Sequence, residues 1–493
     1  MSYTDAIDYL YGLQKYGIKL GIDKPEKILS ALGSPHRDFL SIHVAGTNGK
    51  GSVSAMAASI LMAHGFKVGL FTSPHLVSFT ERIRINNNLI TESEVAALTQ
   101  EIKSRLKGLR PEIPEPTFFE FVTAMAFLYF QRNTVDWVVV ETGMGGRLDA
   151  TNIIVPEVSV LTRIGYDHKE FLGSTLADIA REKAGIIKKG VPVVCAKQEK
   201  EAEDVIQATA ADKAAPLLVY GKDFNGTMEA SGLEGVTFCY HNGSQSLGGL
   251  HTPLKGEHQL ENSCLAIKAA MLALKGSNKL IVTSNSNDSN ELQVTSNELK
   301  TNDKDSSPSS DPLLVTRYSS LVTKEVTRHS LLKKGLASTK WRGRLDLVSD
   351  SPRIMIDGAH NPDAASALAA FIRDHLSGDK IILIVGIMAD KDIAGILGPL
   401  VPLALHVIFT APDYGRAAPP QKLAELSSTS AISNAHQAPA LKEAIESAKK
   451  IYADITKDRA SALILITGSF YTIGEAMEIL GERAILGDLR ESL

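Results

Sequence analysis

The stretch "HVAGTNGKGSVSAMA", residues 43–57, runs from an apolar segment through glycines and a lysine into an alanine-rich helical pattern. Backbone N–H groups of such a turn surround phosphate oxygens, and the start of the next helix adds partial positive charge. Gly46, Gly49 and Gly51 permit close approach, and Lys50 can reach outer phosphates. The usual phosphate loop places Ser or Thr directly after Gly-Lys, whereas here Gly51 intervenes before Ser52. If the loop is displaced by one residue, Ser52 can still coordinate magnesium. Taken alone, the stretch also fits a plain strand-to-helix turn with an exposed lysine.

A second candidate is "DWVVVETGMGGRLDATN". A buried parallel strand ending in Glu141 puts a carboxylate at the carboxyl edge of a sheet, where a phosphate loop also lies. Magnesium is a hard cation that keeps several waters, so one carboxylate with one or two hydroxyls beside phosphates suffices to hold it. Asp149 reads as a turn-former. A third strand, in "LTRIGYDHKEFLG", ends before Asp167 and His168, and Lys183 follows in "TLADIAREKAGIIKKG". A lone histidine is more often a packing residue than a ligand, and Lys183, between Glu182 and Ala184, reads first as a solvated lysine paired with neighbouring acids. In the last third of the chain "IMIDGAHNP" ends a strand at Asp357, Gly358 and His360, "LITGSF" ends another at Gly468 and Ser469, and "WRGRLD" offers Arg342 and Arg344.

These residues need elements that bring them to one edge. Apolar runs ("FLSIHVAG", "VDWVVVETG", "VSVLTRIG", "VPVVCA") alternate with amphipathic or alanine-rich stretches, which predicts an α/β fold with a mostly parallel sheet and helices on its faces. Four further strands, in "PRIMIDGAHNP", "KIILIVGIMADKD", "LALHVIFTAP" and "SALILITGSF", predict a Rossmann-like C-terminal α/β domain. We divide the chain into a P-loop-type ATPase domain over 1–275, a disordered Ser/Asn-rich insertion over 276–312, a segment over 313–336 that is either the helical end of the N-terminal domain or a linker, and the C-terminal domain over 337–493. The insertion carries too few apolar residues to offset its ordering entropy. Lys+Arg 52 against Asp+Glu 56 gives a net charge of -4, so no global basic field gathers nucleic acid or an anionic membrane. Three cysteines without CxxC spacing indicate neither a disulfide framework nor structural zinc. The first 20 residues lack the apolar core of a signal peptide, and no run is long enough to span a bilayer, so a cytoplasmic protein is expected.

Together the motifs resemble the folylpolyglutamate synthase and dihydrofolate synthase branch of the Mur ligase superfamily. The matching stretches are "VAGTNGKGSV", "FTSPHLVSFTERIRIN", "VVVETGMGGRLDATN", "IGYDHKEFLGSTLADIAREKAGIIK", "GEHQLENSCLAI", "WRGRLD", "MIDGAHNP" and "ITGSF". They stand in the family's order and cover nearly the whole chain outside the insertion. In that family "GTNGKGS" is the normal phosphate loop, so Gly51 is no defect. The resemblance implies that Thr47, Asn48, Gly49, Lys50, Gly51 and Ser52 hold ATP phosphates. It implies Ser73, Glu141 and His168 around magnesium, and Lys183 as a lysine that reacts with carbon dioxide to give a carbamate. It also implies Asn262, Arg344 and Asp357 as ATP-binding residues, and His360 as approaching the reaction centre when the domains close. The departures from the family's pattern are Arg342, where a proline often stands, and the insertion.

By the same resemblance the activity is ATP-driven amide formation. The terminal phosphoryl group passes to a carboxylate, and the amine of L-glutamate displaces phosphate from the acyl phosphate. The segment "EPTFFEFVTAMAF" is similar to the pterin-contacting segment of bacterial dihydrofolate synthases, which places Thr117, Phe119 and Glu120, with Leu148, Asp149 and Ala150, at a pterin wall. At least one of Phe118 and Phe119 is expected to be core. The expected enzyme is bifunctional, acting on dihydropteroate and on reduced folates, with small-molecule partners only and a monomeric state. A Mur-type cell-wall ligase is disfavoured because the loop begins too near the N-terminus for a nucleotide-sugar domain. A non-ligating nucleotide switch predicts slow ATP turnover independent of glutamate and pteroate.

Overall fold

The computed structural model describes residues 1–17, 19, 21–108, 114–276, 323–427, 434–457 and 459–481. Most of the Ser/Asn-rich stretch lies outside them. The larger sheet has eight strands: β1 (Leu40–Ala45), β2 (Val68–Phe71), β3 (Ile83–Ile85), β4 (Asn88–Leu89), β5 (Trp137–Glu141), β6 (Val158–Leu161), β7 (Val193–Cys195) and β8 (Leu217–Val219). Their order is β4-β3-β2-β5-β1-β6-β7-β8. All pairs from β2 to β8 are parallel; β3 and β4 add an antiparallel edge.

The uninterrupted "WVVVE" of β5 follows from burial of both faces. Successive side chains of a strand point to opposite faces. Accordingly Trp137 and Val139 join Ile42, Val44 and Val160 against the helices Lys50–Ala63 and His258–Gly276. Val138 and Val140 join Phe71 against the helix Phe118–Arg132 on the other face. Val44 pairs with Glu141 and Ala45 with Leu161, so β1, β5 and β6 end level with one another. The loops leaving these ends therefore share one crevice.

A three-stranded antiparallel sheet of β9 (Asn225–Gly232), β10 (Gly235–Asn242) and β11 (Gln245–Thr252) follows, in the order β11-β10-β9. The helix Thr323–Ala337 returns to the first unit. Ser59 Oγ donates to the Gly335 carbonyl at 2.6 Å, and Leu332 and Leu336 enter the core on the Ile42 and Val44 face.

The second sheet comprises β12 (Asp346–Asp350), β13 (Arg353–Ile356), β14 (Lys380–Val385), β15 (His406–Phe409), β16 (Ala435–Gln437) and β17 (Ala462–Thr467), in the order β12-β13-β17-β14-β15-β16. The four expected strands are β13, β14, β15 and β17. They are parallel, as is β16, and β12 alone runs antiparallel. The turns after β13, β14 and β17 begin at Asp357, Gly386 and Gly468. Among the described residues no helix is long and apolar enough to cross a membrane.

Candidate active site

The phosphate loop connects β1 to the helix Lys50–Ala63. Gly49 is the N-cap with φ 92°, a left-handed conformation that glycine adopts without a steric penalty. The first helical bond runs from the Val53 N–H to the Gly49 carbonyl at 2.9 Å, so the N–H groups of Lys50, Gly51 and Ser52 precede the intrahelical ladder. Thr47 shapes the loop. Its N–H donates to the Arg163 carbonyl at 2.9 Å, and its hydroxyl donates to the Gly165 carbonyl at 3.0 Å. Lys50 Nζ curls back to the Thr47 carbonyl at 3.1 Å. A side chain at Gly49 would collide with Asn262, and one at Gly51 would lie 2.5 Å from Cζ2 of Trp341. Gly51 is thus needed for space beneath an indole.

A cleft of about 370 Å³ opens in front of this loop between the two sheets. Of the residues to which the resemblance assigns a role, it is lined by Thr47, Asn48, Gly49, Lys50, Gly51, Ser73, Thr117, Phe119, Glu120, Glu141, Leu148, Asp149, Ala150, His168, Arg344 and His360. Ser52, Lys183, Asn262 and Asp357 stand behind that lining. Ser52 is buried beside Gln259 Nε2 at 3.5 Å. Asn262 Nδ2 donates to Gln259 Oε1 at 3.0 Å. Asp357 accepts the N–H groups of Leu345 at 3.0 Å and Ala359 at 2.9 Å.

Glu141, at the end of β5, is 4% exposed, and its Oε2 accepts the Ser73 N–H at 3.2 Å. Burial raises its pKa to about 7, against the attraction of Lys50 and Arg344. A carboxylate so placed is well suited to a hard cation, because a nearby positive charge relieves the desolvation. His168 has φ 50° and follows β6. Loss of surrounding water lowers its pKa to about 4; Asp167 opposes this, and Lys391, Lys183 and Lys50 reinforce it. The neutral ring keeps a lone pair available.

Lys183 corrects the expectation of a solvated lysine. It lies in the helix Leu176–Ala184, is 4% exposed, and its Nζ donates to the Gly46 carbonyl at 2.7 Å. Burial, with Lys50 nearby, lowers its pKa to about 7. It therefore supports the underside of the phosphate loop as an amine with a large neutral fraction.

The opposite wall is aromatic. Phe118 and Phe119 are both half-buried and both line the cleft, so neither is purely core. Phe119 packs against Phe71 with centroids 5.9 Å apart and ring planes tilted by 32°, while Arg82 lies 5.1 Å above Phe118. Thr117 and Glu120 form a capping box on the helix Phe118–Arg132, with the Thr117 N–H donating to Glu120 Oε2 at 2.7 Å. Lys24 Nζ reaches the same oxygen at 2.9 Å. Asp149 is buried and accepts the Met144 N–H at 2.9 Å and the Thr151 N–H at 3.0 Å. Both carboxylates thus have local structural partners as well as a place in the wall.

Just before the second sheet, Arg344 lies 4.8 Å above Phe470 and near Asp357 and Glu141. His360 Nδ1–H donates to the Gly358 carbonyl at 2.8 Å, turning Nε2 toward Asp167 at 3.6 Å. Asp167 also binds Lys391 Nζ at 2.6 Å. Burial opposes ionisation of Asp167, but His360, His168 and Lys391 outweigh it and hold the carboxyl well below the usual range.

Sequence reasoning named no role for Lys391, Arg82, Arg416 or Tyr471, all of which line the cleft. Only Lys391 carried a usable signal, a charged "ADKD" turn after an apolar strand.

The chain matches the Mur ligase middle domain over residues 44–270 and the Mur ligase, glutamate ligase domain over 343–470. It is 32% identical over 486 residues to the dihydrofolate synthase/folylpolyglutamate synthase of Bacillus subtilis, covering 96% of this chain and 98% of that one. Mycobacterium tuberculosis folylpolyglutamate synthase complexed with ADP and AMPPCP superimposes with a TM-score of 0.82 at 28% identity, covering 98% of this chain and 100% of that one. Escherichia coli FolC in complex with DHPP and ADP gives a TM-score of 0.75 at 29% identity, covering 97% and 98%.

Proposed function

Since the chain belongs to the dihydrofolate synthase/folylpolyglutamate synthase family of Mur ligases, an ATP-dependent family of amide ligases, we propose that it joins L-glutamate to dihydropteroate and to reduced folates in the cleft described above. The observation that carries this reading is that the phosphate loop and the aromatic wall line one continuous cleft. Residues 1–275 with 313–336 act in this reading as the nucleotide-side unit and 337–493 as the ligase unit. The enzyme works as a cytoplasmic monomer.

A flat pterin stacks on Phe118 and Phe119, while Glu120, Asp149 and the backbone of Leu148 and Ala150 face its polar edge. The carboxylate at the far end of the substrate then points at the phosphate loop. Thr47 to Ser52 cradle the ATP phosphates, Lys50 and Arg344 neutralise the charge that develops during transfer, and Asn262 and Asp357 position the nucleotide. Transfer of the terminal phosphoryl group forms a bond from the carboxylate oxygen to phosphorus and releases ADP. The glutamate amine, once deprotonated, attacks the acyl carbon, and phosphate leaves with the bridging oxygen. His360 Nε2, beside Asp167, holds the proton that the ammonium gives up. Contributions from both sheets close the cleft against water, which would otherwise hydrolyse the acyl phosphate.

Glu141, His168 and Ser73 would hold magnesium. Among the described residues no cluster of three or more His, Cys, Asp or Glu forms a closed cage. That suits a cation that takes one or two carboxylates and otherwise binds waters and phosphate oxygens. When bound, it spreads the negative charge of the transferring group. The neutral amine of Lys183 attacks carbon dioxide and loses one proton, giving a carbamate that adds a carboxylate beneath the loop.

ADP release with dihydropteroate plus glutamate, compared with tetrahydrofolate plus glutamate, tests the reading. Stimulation by both pairs is expected. Stimulation by one pair identifies a monofunctional enzyme, and stimulation by neither refutes the ligase assignment.

A further inference from the structure

Asn48 of the phosphate loop and Asn361 of the second unit, 313 residues apart, form a reciprocal amide pair. Asn48 Nδ2 donates to Asn361 Oδ1 at 3.2 Å, and Asn361 Nδ2 donates to Asn48 Oδ1 at 2.9 Å. Asn361 is 3% exposed and is also the N-cap of the helix Pro362–His375, where Oδ1 accepts the Ala364 N–H at 2.9 Å. Capping alone would be met equally well by Ser or Asp. Neither could complete the pair, because it needs an acceptor and an N–H donor on one planar group. Asn48 is fixed from the other side, since its N–H donates to the Arg163 carbonyl at 3.2 Å. The same helical turn meets the first unit again at Gly165, where a side chain would collide with Asp363. The first turn of this helix is therefore seated on the phosphate loop and on the strand loop beside it.

We propose that Asn361 is a positioning residue that couples the state of the phosphate loop to closure of the C-terminal unit. The inference rests on the reading that this loop holds ATP phosphates. A loop shifted by nucleotide carries Asn48 with it, and the pair transmits that shift directly to the helix and to His360 one residue before it.

The test uses Asn361→Ser and Asn361→Asp, which keep the helix cap, alone and with Asn48→Ser. Interdomain distance is read by pulsed electron paramagnetic resonance between labels at Val155→Cys and Leu405→Cys in a Cys239→Ser background, with AMPPCP. Two net hydrogen bonds correspond to roughly a 5- to 150-fold effect, so in the Asn361 variants kcat should fall about fivefold or more with the KM for ATP changed less than about twofold. The distance distribution should fail to narrow with the nucleotide analogue, and Asn48→Ser/Asn361→Ser should be no slower than Asn48→Ser alone. Normal narrowing in the Asn361 variants, or losses that multiply in the double variant, overturns the proposal. Absence of ADP release by the wild-type enzyme strikes the ligase reading instead, since the distance measurement needs no turnover.

Discussion

The indole of Trp341 lies against Gly51, so that a β-carbon there would come within 2.5 Å of Cζ2 and 3.0 Å of Cε2. The residue that separates this loop from the commoner phosphate-loop pattern is thus required by a side chain from the segment between the two sheets. Gly51→Ala should lower stability by about 1–3 kcal/mol through overpacking and should raise the KM for ATP. Trp341→Ala in the same chain should recover much of the stability. Thermal unfolding and ATP kinetics of the three variants check this; a Gly51→Ala protein indistinguishable from wild type contradicts it.

Lys183 has a folded pKa of about 7 against an ordinary value of 10.5. The unfolded chain therefore binds the extra proton between these values, and this group's contribution to stability rises with pH across that window. Carbamate formation needs the neutral amine, so activity at limiting bicarbonate should rise through about pH 7. Lys183→Ala should abolish most turnover and regain part of it with acetate or another short carboxylate. Unchanged activity in Lys183→Ala would count against the assignment.

Glu141 carries the opposite sign. Its folded pKa is raised by burial from 4.5 to about 7, so the folded state binds more protons between those values and the group's stabilising contribution falls as pH rises through them. A dication competes with that proton. Magnesium affinity, measured by calorimetry with ADP present, should increase from pH 5.5 to pH 7.5 and then level off, and Glu141→Gln should remove most of both the affinity and its pH dependence. A pH-independent affinity in the wild-type enzyme would show that another group holds the ion.

Thr117 and Glu120 combine a structural and a binding role. Thr117→Ala should cost about 1 kcal/mol by removing the helix cap. Glu120→Gln keeps the capping box, which accepts either side chain, and should unfold within a few degrees of wild type while raising the KM for dihydropteroate. Thermal melts with steady-state kinetics separate the two. A Glu120→Gln variant with normal KM would make this carboxylate purely structural, held by the Thr117 N–H and Lys24.

Much of this was legible because parallel strands buried on both faces leave long apolar runs, and the residues after those runs must gather at one sheet edge. Glu141 and the phosphate loop are legible in that way, whereas His168 by itself reads as a packing residue and takes its place beside magnesium from the resemblance. The antiparallel sheet of β9 to β11 was not legible, although the two-residue Gly243-Ser244 loop at its second turn is a hairpin signal, because glycines and bulges interrupt its alternation. The burial of Lys183 escaped local reading, since Arg181 and Glu182 precede it in sequence and the Gly46 carbonyl that its Nζ meets lies 137 residues away. Lys391 and Arg416 come to the cleft only when the second sheet docks, a relationship that no local periodicity encodes.

The most direct measurement of the central claim follows oxygen. Dihydropteroate carrying ¹⁸O in both carboxylate positions, incubated with ATP, glutamate and the enzyme, should yield inorganic phosphate bearing one ¹⁸O atom for each amide formed, since the bridging oxygen of the acyl phosphate leaves with phosphorus. Phosphate free of label alongside labelled amide product would contradict activation of the substrate carboxylate by phosphoryl transfer.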